Sequence, residues 1–195
     1  PLLELAADHP RPSVPSGKGE REHFELGSGL VEGLQGLAKD EQASLEEVML
    51  AAFETLLYRY TGREDMIVGQ AASNRSRPEM EPLIGLFSNY LAVRTQLDGK
   101  LSYAGLLRQT KQMMAEAREH EEAPFERLVE EMRPPRDGSY DPLIQVLYTF
   151  GKGLGSWKDG TGLTWEPVEV NPGTARFDLS LVLRHSDRDT VANLT

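Results

Sequence analysis

The sequence predicts an α/β fold, a mixed sheet layered with helices, and three observations predict it. Apolar residues recur at helical spacing in three segments, short β-branched and aromatic runs fall between them, and the runs cluster toward the end of the chain. Strands that alternate with helices over the first two thirds and then follow one another directly make a layered unit whose sheet mixes strand directions.

The elements follow in order. Residues 1–22 contain Pro1, Pro10, Pro12 and Pro15, then Gly17 and Gly19, so this stretch reads as an extended linker or arm ahead of a folded unit at 23–195. A short strand is expected at His23–Leu26 and a helix over Leu30–Asp40, weakened by Gly33 and Gly36. Ser44 and Glu47 form a capping box for the next helix. Leu45, Val48, Met49, Ala52, Phe53, Leu56, Leu57 and Tyr60 give it a broad apolar face, and Gly62 stops it.

Met66–Ala71 is the next strand, Ser73–Glu81 a polar loop, Pro82 the start of a short helical turn, and Tyr90–Thr95 another strand. Ser102 opens a long helix carrying Tyr103, Leu106, Leu107, Thr110, Met113, Met114 and Ala117 on one face; its methionines read as core. Pro124 is placed as the first residue of a further helix that Pro134 and Pro135 end. Leu143–Phe150 is apolar enough for a buried strand. A glycine-rich loop follows, with Gly151, Gly153, Gly155, Gly160 and Gly162. The last strands are expected at Leu163–Val170, Arg176–His185 and Thr190–Leu194.

Composition narrows the function. A net charge of -10 argues against nonspecific binding to nucleic acid or anionic membrane, leaving the loop with Arg75 and Arg77 as the place for a local basic patch. The absence of cysteine excludes a thiol nucleophile, a thiolate zinc site and any disulfide, and fits a reducing cytoplasm. No apolar run approaches the ~20 residues of a membrane helix, and no basic-then-apolar signal peptide opens the sequence. The acidic residues show no metal-ligand spacing, and the glycines form no phosphate loop ahead of a helix. The first residue is not methionine and Thr195 falls within an expected strand, so the sequence reads as a piece of a longer protein.

Three collinear segments carry a family resemblance. Ile84-Gly85-Leu86-Phe87-Ser88-Asn89-Tyr90-Leu91-Ala92-Val93-Arg94 resembles the Ile-Gly-x-Phe-Val-Asn-Thr pattern, ending in Arg, of nonribosomal peptide synthetase condensation domains. His120-Glu121-Glu122-Ala123-Pro124-Phe125-Glu126 resembles their His-Gln-Asp-x-Pro-Phe-Glu. Arg136-Asp137-Gly138-Ser139-Tyr140-Asp141-Pro142-Leu143 resembles their Arg-Asp-x-Ser-Arg-x-Pro-Leu. The flanks Leu57–Gly62, Val68-Gly69, Asn74–Glu79 and Phe177–Leu179 also match. Ser88, Tyr90, Glu121, Glu122 and Tyr140 depart from the usual residues, which bears on substrate preference and subtype.

The resemblance implies one lobe of a chloramphenicol acetyltransferase-like fold, the C-terminal of two similar lobes with a tunnel between them. The family's His-His-x-x-x-Asp-Gly motif is absent: His9, His23, His120 and His185 are never adjacent. The resemblance therefore assigns the chain no catalytic group of its own, and its partner would be the N-terminal condensation lobe. By the same resemblance the parent enzyme forms an amide between a donor and an acceptor tethered to carrier proteins, beside an adenylation domain. No cofactor binds directly, and phosphopantetheine is carried by the partner carrier proteins.

The resemblance places Ser88, Asn89 and Tyr90 at the substrate tunnel. A buried amide at Asn89 can fix a substrate carbonyl or a neighbouring loop. Ser88 and Tyr90 should face opposite to it in a regular strand. Arg75 and Arg77 can meet a phosphopantetheine phosphate or a carrier protein, or form a solvated loop paired with Glu79 or Glu81. His120 pairs with helix C-terminal carbonyls or, beside three glutamates, acts as a base. Arg136 and Asp137 suit a turn-stabilising pair. Asp178, alternating with Phe177, Leu179, Leu181 and Leu183, suits an edge or an inter-lobe contact.

Two rival readings remain beside amide formation. One is a non-catalytic module that recruits a carrier protein or tailoring enzyme; the other is a coenzyme A-dependent acyltransferase. An isolated lobe should also expose the face that packs on its partner and self-associate.

Overall fold

The computed structural model of the chain describes residues 2–75, 77–135, 137–153, 157–158, 160–186 and 190–195. Its elements are β1 (Glu22–Leu26), α1 (Ser28–Asp40), α2 (Leu45–Thr61), β2 (Asp65–Ala72), β3 (Asn89–Gln96), α3 (Tyr103–Glu119), α4 (Phe125–Met132), β4 (Val146–Lys152), β5 (Trp157–Lys158), β6 (Thr164–Trp165), β7 (Leu179–His185) and β8 (Thr190–Leu194). A six-stranded sheet runs β1-β8-β7-β4-β2-β3. β4 lies parallel to β2 and β7, and the other pairings are antiparallel. The sheet is mixed, as the alternation of elements predicts.

Helices α1, α2 and α3 cover one face. Val48, Leu50, Ala51 and Leu57 of α2 and Leu107 and Met114 of α3 meet Met66, Val68, Val146, Tyr148 and Leu183 of the sheet, all essentially without solvent contact. The capping box forms: Glu47 N–H donates to Ser44 Oγ, and Ser44 N–H donates to Glu47 Oε2. Gly62 ends α2 at φ 65°, where its lack of a Cβ removes the strain. The buried stripe of α2 is rotated from the expected one, since Leu56 and Tyr60 are exposed while Leu50 and Glu54 are buried.

Several boundaries move for local reasons. The strand expected from Leu143 starts at Val146, because Leu143 takes a left-handed φ of 64° and Ile144 N–H turns back to Pro142 O. The strand expected from Arg176 starts at Leu179, with Asp178 N–H bonded to Gln145 O. Only Thr164–Trp165 of the expected Leu163–Val170 strand is extended and paired, against β5. The helical turn expected at Pro82 lies earlier, at Pro78–Met80. Pro124 caps α4 from an extended conformation, ψ 134°, instead of opening it.

The opposite face of the sheet is covered in two separate places. Over β2 and β3, α4 closes a small cluster of Ile67, Phe125, Ile144 and Phe177. Gly69 permits the close fit there, as a Cβ would stand 2.5 Å from Ile144 Cγ2. Over β7, β8 and β1, a segment without regular structure brings Glu169 against Arg184 and Asn193. The arm is extended but tied down. Leu3 is buried in the main core with its N–H donating to Gln145 Oε1, and Lys18 bridges to Thr174.

Candidate functional site: three motifs at one end of the sheet

The three motif segments meet around the α4 cluster. Asn89 opens β3 and is buried, and its amide is spent on the second motif. Nδ2 donates to Glu121 O at 2.9 Å and to Ala123 O at 2.7 Å, while Oδ1 accepts from Phe125 N–H at 3.0 Å. One side chain therefore holds the turn before α4 and satisfies an amide at the helix N-terminus that has no intrahelical acceptor. Tyr90 projects to the other side and packs edge-on against Phe125 and Phe177, with Arg176 over its ring. Ser88 is exposed just before the strand. Because β3 is an edge strand, the start of α4 is reached from both of its sides.

The third motif closes the same end. Asp137 Oδ1 accepts from Ser139 N–H at 2.9 Å and from Ser139 Oγ at 2.7 Å, and these bonds hold its carboxyl below the usual range. The turn is thus stabilised through Ser139; Arg136, the expected partner, lies outside the described residues. Leu143 joins the α4 cluster. Asp141 is pushed up by burial, opposed by Arg176 at 3.9 Å. Between α4 and this loop runs a groove of about 1040 Å³ lined by Val129, Arg133, Pro134, Tyr140, Asp141 and Leu143, among others.

Arg11, in the arm, went unnoticed in the sequence. It donates to Ser139 O at 2.9 Å, pairs with Asp178 and stacks 4.0 Å from the Tyr140 ring centroid. Asp178 thus pairs with the arm, and it precedes β7, an interior strand, so the edge position expected for it is not found. The only available signal was an arginine between two prolines, which says nothing about a partner more than a hundred residues away.

Arg75 and Arg77 part company. Arg75 donates to Met80 O and lies over the Phe87 ring at 4.2 Å, fastening its own loop. Its partners are backbone carbonyls, not the carboxylates of Glu79 or Glu81. Arg77 is exposed. His120 is exposed at the end of α3, its N–H bonded to Ala117 O. Arg94, the last residue of the first motif, forms a bidentate pair with Asp65 at 2.8 and 2.7 Å.

A second residue missed in the sequence is Glu54 of α2, fully buried in the main core. Thr95 Oγ1 donates to Oε1 at 2.5 Å and Thr110 Oγ1 donates to Oε2 at 2.6 Å. Burial pushes its carboxyl up to about 7 against the pull of those hydroxyls. Among the described residues no cluster of His, Asp or Glu is arranged to hold a metal ion. No described helix is long and apolar enough to cross a membrane.

Comparison with known proteins places this geometry. The family model described as Condensation domain matches residues 1–194. Chondramide synthase cmdD of Chondromyces crocatus is 40% identical over 185 residues, which are 95% of this chain and 5% of that protein. The four-domain nonribosomal peptide synthetase holo-AB3403, solved with AMP and glycine, superposes with a TM-score of 0.88 at 22% identity over 98% of this chain and 16% of its own. The condensation domain of the Monacolin K polyketide synthase MokA superposes at 0.84 and 21% identity over 100% of this chain. The chain spans 47% of that structure, about half of it. The two solved structures speak for the fold, which is the layered mixed-sheet fold of condensation domains.

Proposed function

Because the chain belongs to the condensation-domain family, we propose that it is one lobe of a nonribosomal peptide synthetase condensation domain. The parent reaction joins two substrates tethered through phosphopantetheine to carrier proteins. The acceptor amine attacks the donor thioester carbonyl, the C–S bond breaks, and the donor thiol leaves as the amide forms. The family match along essentially the whole chain carries this reading, and the meeting of three motifs at one end of the sheet supports it.

In this reading the chain supplies walls and positioning, and the paired histidines belong to an N-terminal lobe. Ser88 and Tyr90 lie along the substrate tunnel. Asn89 contributes as a positioning residue, because its amide already holds the turn at 121–125. Much of the rate in such a tunnel comes from holding amine and thioester in reacting geometry. Arg77 is left to meet a phosphopantetheine phosphate or a carrier-protein surface, while Arg75 shapes its loop. The exposed Leu83, Ile84 and Leu86 between β2 and β3 suit contact with the other lobe. An adenylation domain stands nearby in the parent protein, which works in the cytoplasm.

The test combines the chain with a separately expressed N-terminal lobe and two loaded carrier proteins, and seeks the dipeptidyl product by mass spectrometry. Product that disappears when the second histidine of the upstream motif becomes alanine is the expected result. A stable complex of lobes that yields no product from substrates the parent line accepts would turn the reading toward a recruitment module.

A further inference from the structure

A separate cleft lies on the far face, at the edge made by β7, β8 and β1. It measures about 500 Å³, and its described lining includes Arg21, His23, Arg184, Asn171, Asn193 and Glu169. His23, Asn193 and Arg184 project from adjacent strands on the side away from α1–α3. They form a polar patch on a face that elsewhere packs through apolar side chains.

The charges in this cleft do not balance. Two arginines stand beside a single carboxylate among the described lining residues, in a chain whose net charge is -10. Glu169 Oε1 takes Arg184 Nη1 at 3.0 Å and accepts from Asn193 Nδ2 at 3.2 Å. Its Oε2 stands 4.0 Å from both Arg21 Nη1 and His23 Nδ1, which is beyond hydrogen-bond reach. Arg21 Nε is buried and has no hydrogen-bond partner among the described residues. His23 Nδ1 is served instead by Asn193 Oδ1 at 3.0 Å, so the under-satisfied donor is the guanidinium of Arg21.

Glu169 is also held lightly. Its neighbours Val168 and Val170 are 82% and 74% exposed, so packing does not clamp this segment. The carboxylate reaches the cations as an internal counter-ion that a better-matched anion can displace.

We propose that this cleft is an oxyanion site that takes a phosphate group, with Arg21, Arg184 and Asn193 as its donors and Glu169 as the competing internal carboxylate. Phosphate fits better than a second carboxylate. It brings up to two negative charges and more acceptor oxygens to a site with surplus cations. The site does not depend on the amide-forming reading, and titration reports on it without turnover.

The experiment titrates the 195-residue chain with inorganic phosphate, methyl phosphate and acetate at constant ionic strength, following heat and backbone amide shifts. Saturable phosphate binding that perturbs β1, β7 and β8 is expected, with acetate weaker. Arg184→Gln should weaken it about tenfold or more, the scale of one charge-assisted hydrogen bond. Glu169→Gln should tighten it, because the competitor is gone. Equal binding of methyl phosphate assigns the site to an esterified phosphate; its rejection assigns it to free phosphate. If Glu169→Gln leaves phosphate affinity unchanged or lower, or if acetate binds as well as phosphate, the proposal is overturned. The cleft is then an internal ion-pair network. Unchanged amide spectra away from the cleft show that each variant folds.

Discussion

The face of the sheet under α1–α3 is held by volume: Val48, Leu50, Leu107, Met66, Val68 and Leu183 pack together shielded from solvent. At the α4 end, where the cluster on the opposite face is small, side-chain bonds to backbone made on both sides of the edge strand β3 do much of the work. Asn89 fastens the turn at 121–125, Asp137 and Ser139 close the next, and Arg11 pulls the arm across. The first face tolerates little change in size but reads no particular partner. The second depends on individual donors and acceptors, and it is there that the family's motifs lie.

The sharpest way to break this comparison is to truncate the packed face. Leu107→Ala should cost about 3 kcal/mol of global stability, within the range for a fully buried leucine that leaves a cavity. Urea unfolding should show a lower midpoint. A loss confined to α4 would mean that the two faces are not distinct.

Glu54 tests a fully buried carboxyl inside the packed face. Its folded-state pKa is raised from 4.5 to about 7, so the folded chain holds the proton more tightly than the unfolded one. The stability linked to that proton is fully present below about pH 4.5 and is lost as pH rises through about 7. Glu54→Gln should remove this dependence. Relative to the parent, the variant should gain stability on the order of 3 kcal/mol from acid to above pH 7. Denaturation curves across that range check it; parallel pH profiles of parent and variant would refute it.

A smaller and more local effect is expected at the motif end. Asn89→Ala strands the Phe125 N–H and two carbonyl partners, at a cost of about 2 kcal/mol in the range for buried groups left unsatisfied. Hydrogen exchange should quicken at Phe125 and along the start of α4, while amides of α2 and α3 remain protected. Uniform loss of protection would mean that Asn89 supports the whole fold and not one turn.

The helices were legible because their signals are local. Ser44 and Glu47 open α2 and Gly62 closes it, and the capping box needs no tertiary partner to form. The rotation of its buried stripe was not legible, because Glu54 is held inside by hydroxyls that β3 and α3 present to it. Strand starts slipped for a similar reason: Leu143 is apolar enough for a strand, yet it turns left-handed to seat itself under α4. At the site, the motifs showed which residues matter without showing that Asn89 of one motif binds the backbone of the next.

By itself the sequence determined the layered α/β class, the order of the helices and main-sheet strands, the caps of α2 and membership of the condensation-domain family, since periodicity, capping and motif spacing are properties of neighbouring residues. Only the tertiary structure decided which polar groups meet. Arg11 with Asp178, Glu54 with Thr95 and Thr110, and Glu169 with Arg184 are each brought together across long stretches of chain. Hydrogen bonds and ion pairs act over a few ångströms, so their partners are fixed by the packing of the sheet and not by separation along the sequence.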